Sequence, residues 1–290
     1  MNLTPSQAAR IAGDTGPEPE TRSVIDILRD RTLGHARADH SGFDKELTDR
    51  VFMNLLRPLA EKWFRLEVRG IENLPEAGPA LIAGNHSGAI ALDALMTQLA
   101  IFDHHPQHRH LHMLAADLVF ELPLVGDLAR ATGAAAANRS EAFRLLELGK
   151  LVGVWPEGFA GVGKTWSRRY QLQQFGKGGF VATEQQADVP LIPLAIVGAE
   201  EAYPMIADFE PLARMLKLPY FPVTPTWPLL GPLGLVPLPS KWIIQFGTPI
   251  APEDLPPAED SAAVLSAAQD FRLHVQSMVD ALVDSRGSAF

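Results

Sequence analysis

Ala80-Leu81-Ile82-Ala83-Gly84-Asn85-His86-Ser87-Gly88-Ala89-Ile90-Ala91-Leu92-Asp93 is the stretch whose reading decides the fold. The opening apolar residues, with Pro79 before them, read as a short buried strand. Gly84-Asn85-His86 ends that strand in a turn, and the apolar segment Ala91–Phe102 reads as a helix. A histidine at a strand end can act as a general base when a carboxylate holds its other ring nitrogen. Asp93 lies seven residues beyond His86, with no acid between them. The plainer alternative is a turn histidine followed by a helix-capping aspartate.

Strands and helices alternate outward from this stretch. Expected strands are Phe64–Gly70, His110–Ala115, Leu151–Trp155, Leu191–Val197 and Trp242–Phe246. Expected helices are Ser23–Arg31, 44–65 with an interruption at Pro58, Leu122–Ala131, a segment capped by Asn138 or Ser140 and running to Glu147, Gly178–Gln186, and Ser261–Leu282. This pattern predicts an α/β fold with a mixed, mainly internal sheet flanked by helices and preceded by an N-terminal helical extension. The expected organisation is a polar extension at 1–43, a main domain at 44–250 and a C-terminal helix at 251–290 that packs on it.

Composition narrows the function. A net charge of −9 argues against nucleic acid as a partner. With no cysteine, disulfides, thiol catalysis and cysteine-ligated zinc are excluded. Met1–Gly16 lacks a basic-then-apolar leader pattern, Gly16-Pro17-Glu18-Pro19 acts as a breaker, and no apolar run is long enough to span a bilayer. His104, His105, His108, His110 and His112 cluster in sequence, but no ordered acidic spacing accompanies them, so a solvated loop entering a strand is expected and no metal site. Residues 204–239 hold nine prolines among large apolar residues, which rules out a regular helix or central strand. Such a segment can line an apolar tunnel, lie on lipid, or pack as an irregular cap. With Phe43, Phe52, Leu55 and Leu56 it is expected to form a membrane-facing surface.

A second site follows the strand at 151–155, in Trp155-Pro156-Glu157-Gly158. Ligands in α/β sheets sit beyond the carboxyl ends of strands, so Glu157 and His86 are both placed at a site edge. Gly158-Phe159-Ala160-Gly161-Val162-Gly163-Lys164-Thr165 also matches the phosphate-binding P-loop string, and a helix at Trp166–Phe175 would complete it. Its mid-chain position and the absence of an aspartate after Leu191–Val197 speak against nucleotide binding. Lys164, Arg168, Arg169 and Lys177 form a local basic cluster suited to a phosphate or lipid head group.

Together these pieces resemble the glycerolipid acyltransferase (PlsC-like) superfamily, which includes 1-acylglycerol-3-phosphate acyltransferases. Its blocks are matched in order by Asn85-His86…Asp93, Asn138-Arg139, Trp155-Pro156-Glu157-Gly158 and Val189-Pro190-Leu191-Ile192-Pro193. Six residues separate His86 from Asp93, where the usual pattern has four; this looks like a subgroup with longer spacing. Phe159-Ala160 stands where the family has Ser/Thr-Arg. The resemblance implies transfer of a fatty acyl group from an acyl thioester, carried by coenzyme A or acyl carrier protein, to a glycerolipid hydroxyl. His86 would be the base and Asp93 its orienting acid. Asn85, Ser87 and Gly88 would lie at the reacting carbonyl, and Glu157 and Gly158 at the acceptor. Arg139, Lys164 or Arg168 would meet a phosphate. No bound cofactor is implied, and the expected place of work is the cytoplasmic face of a membrane, as a peripheral protein. Acylation of a neutral glyceride, P-loop nucleotide binding and non-catalytic lipid binding are the alternatives.

Overall fold

In the segment Leu191–Val197 all seven residues are buried, because helices cover both faces of the sheet it runs through. Ile192, Leu194 and Ile196 enter one core, and Leu191, Ala195 and Val197 the other. The neighbouring strand alternates in the same way, Ala80 and Ile82 on one side, Leu81 and Ala83 on the other. The computed structural model describes residues 23–32, 38–39 and 41–290. The Met1–Gly16 and Gly16–Pro19 readings fall outside the described residues. Helix α1 (Val24–Thr32) belongs to a unit of its own, and Ala38–Phe290 forms another.

The sheet of the larger unit has seven strands: β1 (Glu67–Arg69), β2 (Ala80–Gly84), β3 (Leu111–Ala115), β4 (Ala134–Ala136), β5 (Leu151–Val154), β6 (Leu191–Val197) and β9 (Ile243–Phe246). Its order is β1-β9-β6-β2-β5-β3-β4. Strands β6, β2, β5, β3 and β4 are parallel; β9 runs antiparallel to β6 and carries β1 parallel to itself. The remaining pair, β7 (Ala207–Asp208) with β8 (Pro222–Val223), is a small separate ladder. From β2 the chain crosses to β3 on one side, and from β5 it crosses over β2 to β6 on the other. The carboxyl ends of β2 and β5 therefore flank a switch point, where an α/β sheet opens a crevice.

The helices are α2 (Lys45–Leu47), α3 (Met53–Pro58), α4 (Leu92–His104), α5 (Asp117–Glu121), α6 (Val125–Ala131), α7 (Arg139–Glu147), α8 (Phe159–Val162), α9 (Gly179–Ala187), α10 (Ala199–Ala202), α11 (Glu210–Met215) and α12 (Ser261–Arg286). One face of the sheet is covered by α3, α4 and α10, the other by α7, α9 and α12. The Asn138 side chain caps α7 by accepting the Glu141 N–H at 2.9 Å.

Some expectations change. The helix read over 44–65 is interrupted by π-helical turns at Thr48–Phe52 and Leu59–Trp63, the second directly after Pro58, which has no N–H to continue an α pattern. Phe43, Phe52 and Leu56 are core, so of the proposed membrane-facing residues there only Leu55 is exposed. Of Leu122–Ala131 only Val125–Ala131 is helical, as α6; Leu122–Leu124 separate it from α5, and Leu124 has a φ of 66°. The three-alanine strand β4 carries no β-branched signal and was not expected. Trp166–Phe175 is not a helix; only a 3-10 turn at Trp166–Arg168 forms.

Candidate active site

The turn after β2 is held from both sides. The Asn85 amide is buried, donating to Ile196 O at 2.9 Å and accepting the Ile196 N–H at 2.8 Å. It extends the β2–β6 pairing by one side-chain rung, so the expected place at a reacting carbonyl is corrected: Asn85 staples two strands. His86 follows. Its Nδ1 lies 2.8 Å from Asp93 Oδ2, and Asp93 is fully buried in the first turn of α4. The same Asp93 oxygen accepts the Ser87 N–H at 2.9 Å, and Oδ1 accepts that of Ala94 at 2.9 Å. The six-residue gap is long enough for the chain to turn at Gly88, where φ is 86° and an added Cβ would sit 3.0 Å from Ala199 O. An acceptor surrounded by backbone N–H groups pulls the imidazole proton to Nδ1 and leaves Nε2 with a lone pair. The His86 side chain is 15% exposed, and Nε2 has no hydrogen-bond partner among the described residues. Ser87 Oγ is buried beside it, also without a partner among them.

Glu157 is buried, and both its oxygens are used: Oε1 accepts the His86 N–H at 2.7 Å and Oε2 the Gln173 N–H at 2.5 Å. The expected role at the acceptor is thereby corrected; Glu157 straps the His86 backbone to the loop at Gln173. Gly158 makes the turn behind it with a φ of 54°. Lys164 is buried between two acids, its Nζ 3.0 Å from Glu200 Oε1 and 3.5 Å from Glu157 Oε2. It is not available to a phosphate, which removes the P-loop reading together with the missing helix. Burial raises the Glu157 carboxyl above its ordinary range, while Lys164 and the two N–H groups oppose that rise. Burial likewise raises Glu200, again opposed by Lys164, and Glu200 Oε2 accepts the Tyr170 N–H at 2.9 Å.

The glycines of the P-loop string have a packing reason. A Cβ on Gly161 would lie 2.7 Å from His86 O and 2.8 Å from His86 Cβ, so α8 can touch the histidine turn only through a glycine. Trp155 places its ring 5.8 Å from the His86 ring. Tyr220, from the proline-rich segment, donates to Ala89 O at 2.8 Å; burial, Asp93 and Asp208 push its hydroxyl up to about 12. Farther along the same edge, Glu201 is buried, pairs with Arg286 Nη2 at 2.7 Å and accepts the Tyr170 hydroxyl.

The two other expected cations lie apart. Arg168 is exposed on its 3-10 turn. Arg139 donates to Gln186 at 2.9 Å and borders a cavity of about 180 Å³ walled by Leu81, Val154 and Phe180. That wall belongs to the core on the α9 side of the sheet, whereas Trp155 beside His86 belongs to the opposite core. Glu200, Gln173, Tyr220 and Gly161 were missed from sequence; only Gly161 left a trace, as a glycine in a motif. Among the described residues no three histidines or acids are placed to hold a metal, and no helix is long and apolar enough to cross a membrane.

Comparison with known proteins fits this geometry. The family model for acyltransferases matches residues 65–197, which span β1 to β6 and contain His86, Asp93 and Glu157. An uncharacterized protein of Mycobacterium tuberculosis is 44% identical over 270 residues, covering 92% of this chain and 75% of that protein. A bovine protein described as a DGAT1/2-independent enzyme synthesizing storage lipids is 28% identical over 173 residues, 59% of this chain and 51% of its own. The crystal structure of the 1-acyl-sn-glycerophosphate (LPA) acyltransferase PlsC from Thermotoga maritima is similar in fold, with a TM-score of 0.50, 18% identity and 79% of each chain covered. The mixed α/β sheet and the matched model, with the whole His86 turn inside it, agree: this chain belongs to the acyltransferase family.

Proposed function

We propose that the protein moves a fatty acyl group from an acyl thioester to the hydroxyl of a glycerolipid, with His86 as the general base. The observation that carries this reading is the 2.8 Å contact of His86 Nδ1 with fully buried Asp93, which leaves Nε2 as the reactive nitrogen. Nε2 takes the hydroxyl proton as the acceptor oxygen bonds to the thioester carbon, and the carbonyl electron pair moves onto its oxygen. Collapse of this adduct breaks the C–S bond, and the leaving thiolate takes the proton back from the imidazolium. The products are an ester and a free thiol. Asp93 stabilises the imidazolium between the two steps. With Asn85 engaged elsewhere, the backbone at Gly88 is the donor assigned to the oxyanion. Glu157 acts on position, since it holds the His86 backbone. Coenzyme A or acyl carrier protein supplies the thioester, and no bound cofactor takes part. The lipid acceptor places the reaction at a membrane surface, on its cytoplasmic side.

Lysophosphatidic acid and other lysophospholipids are the first acceptors to test. A second reading, acylation of a neutral mono- or diacylglycerol, is supported by Lys164. Its charge is cancelled by Glu157 and Glu200, and Phe159-Ala160 supply no cation in its place. The test is thiol release from a long-chain acyl-coenzyme A with each acceptor, for wild type and His86→Ala. Acceptor-dependent release that vanishes in the variant supports the reading and ranks the acceptors. Equal release from both proteins overturns it, and lipid binding without any turnover favours a non-catalytic lipid module.

A further inference from the structure

Residues 218–240 contain no Asp, Glu, Lys or Arg, in a chain with 59 such residues among 290. Within this run Leu229, Leu230, Leu233, Leu235 and Val236 are all exposed, Leu229 at 83% and Leu233 at 71%. Aliphatic side chains gathered so closely in water mark a surface meant for another phase. The backbone is the more telling part. A chain segment can enter an apolar phase only if its N–H groups are bonded internally or absent. Here Pro225, Pro228, Pro232, Pro237 and Pro239 have none. The Leu230 N–H donates to Thr226 O, Gly231 to Pro228 O, Leu233 to Leu230 O, Val236 to Leu233 O and Leu238 to Ala202 O. A loop that faced only water would not need this economy of donors.

The border has the opposite character. Trp63 is 40% exposed and donates its indole N–H to Pro237 O at 2.8 Å, and Arg65 donates to Pro239 O at 3.0 Å. Exposed Lys62, Arg65, Arg214 and Lys217 stand against Glu61, Asp208 and Glu210, with Asp208 already accepting the Phe221 N–H. The balance is positive in a chain whose net charge is −9. An apolar centre, an indole at its rim and flanking cations match an interface with anionic lipid head groups. The segment also reaches the candidate active site, through Tyr220 on Ala89 O.

We propose that residues 218–240 are the docking surface of this protein for an anionic lipid bilayer, inserting Leu229–Val236 below the head groups and holding the His86 turn at the interface through Tyr220. The inference rests on the lipid-acceptor reading given above. The test is co-sedimentation with vesicles of phosphatidylcholine alone and of phosphatidylcholine with phosphatidylglycerol, for wild type, the double variant L229D/L233D and His86→Ala. Wild type and His86→Ala should sediment with the anionic vesicles, more weakly with the neutral ones and less at high salt. L229D/L233D should lose about ten-fold or more in binding. It should keep wild-type turnover on a short-chain, water-soluble thioester and acceptor. Sedimentation of L229D/L233D equal to wild type overturns the proposal. So does a wild-type dimer that the two substitutions split while vesicles bind neither protein, since the patch would then serve a second copy. If all three proteins lack turnover but wild type still needs Leu229 and Leu233 to bind vesicles, the acyltransfer reading has failed and the docking surface stands.

Discussion

The two ends of the central sheet use the same residue types in opposite ways. At the carboxyl end, His86 meets Asp93 at 2.8 Å, and Asp93 and Glu157 receive backbone N–H groups on all four carboxylate oxygens. At the amino end of β3, His110 approaches Asp49 at 3.3 Å, and His110 Nδ1 and Nε2, His112 Nε2 and Asp49 Oδ1 have no hydrogen-bond partner among the described residues. Phe43 packs on both of these imidazoles, at 5.0 and 5.2 Å, and Phe102 stacks on His110. Burial lowers His110, against the pull of Asp49, and lowers His112 to about 4. A histidine beside an acid is thus not a signature in itself. What separates the two ends is whether the acid is anchored by other donors, so that it fixes a ring, or is itself left short of them.

The strongest way to break this contrast is catalytic. Replacing His86 by Ala should lower acyltransfer by about 10³-fold or more, with Asp93→Asn falling in the same range, while His110→Phe leaves turnover near wild type. Steady-state rates on a soluble thioester decide it; a comparable loss in His110→Phe would erase the distinction. The next effect is on folding. Lys164→Met removes the cation paired with Glu157 and Glu200 and should cost about 3–5 kcal/mol, whereas exposed Arg168→Ala should change stability by about 0.5 kcal/mol or less. Urea unfolding of the two variants makes that comparison.

Third comes pH. The His112 value in the folded protein lies below its ordinary 6.5, so protonation favours the unfolded chain. Its contribution is complete above pH 6.5 and is lost as pH falls toward 4, by up to about 3 kcal/mol. His112→Leu should flatten the stability profile in that window, and an unchanged slope would show that the amino end is better solvated than its geometry implies. The smallest effect concerns Glu184 on α9, fully buried, without a hydrogen-bond partner and raised to about 8 by burial and Asp188. A raised acid is stabilising below its unfolded value and loses that contribution as pH climbs through 8. Glu184→Gln should therefore be more stabilising at pH 8 than at pH 5. Thermal melts at both values test the sign.

The reach of each interaction along the chain explains what was readable. β2, β6 and the His86–Asp93 pair lie within short windows, where apolar runs and a single downstream acid are visible to inspection. Asn85 instead finds Ile196 across 111 residues, Glu157 holds a turn 71 residues earlier, and Tyr220 bonds Ala89 across 131. Residue identity assigns all three to chemistry with equal ease, and only the crossing of β5 to β6 over β2 reveals that Asn85 and Glu157 are spent on backbone. β4 was hidden for a different reason: three alanines carry neither periodicity nor β-branching, and the strand exists because Met113 and Ala115 offer it a parallel edge. The proline density at 204–239 kept the segment out of the central sheet, but it did not exclude a helix: α11 forms there with Pro211 in its first turn, where no N–H is needed, and β7 and β8 pair around it. Nor did the prolines show which face would be exposed.

The ion pair of Glu201 with Arg286 sets a timetable for biosynthesis. The carboxylate is made 85 residues before the guanidinium that neutralises it, at a position with almost no access to water. Until α12 has been translated to its last turn, the Tyr170–Glu200–Glu201 edge must stay open to solvent, because a carboxylate buried without its cation is costly. That edge is therefore completed late, and a nascent chain halted before Arg286 should present it to chaperones and proteases.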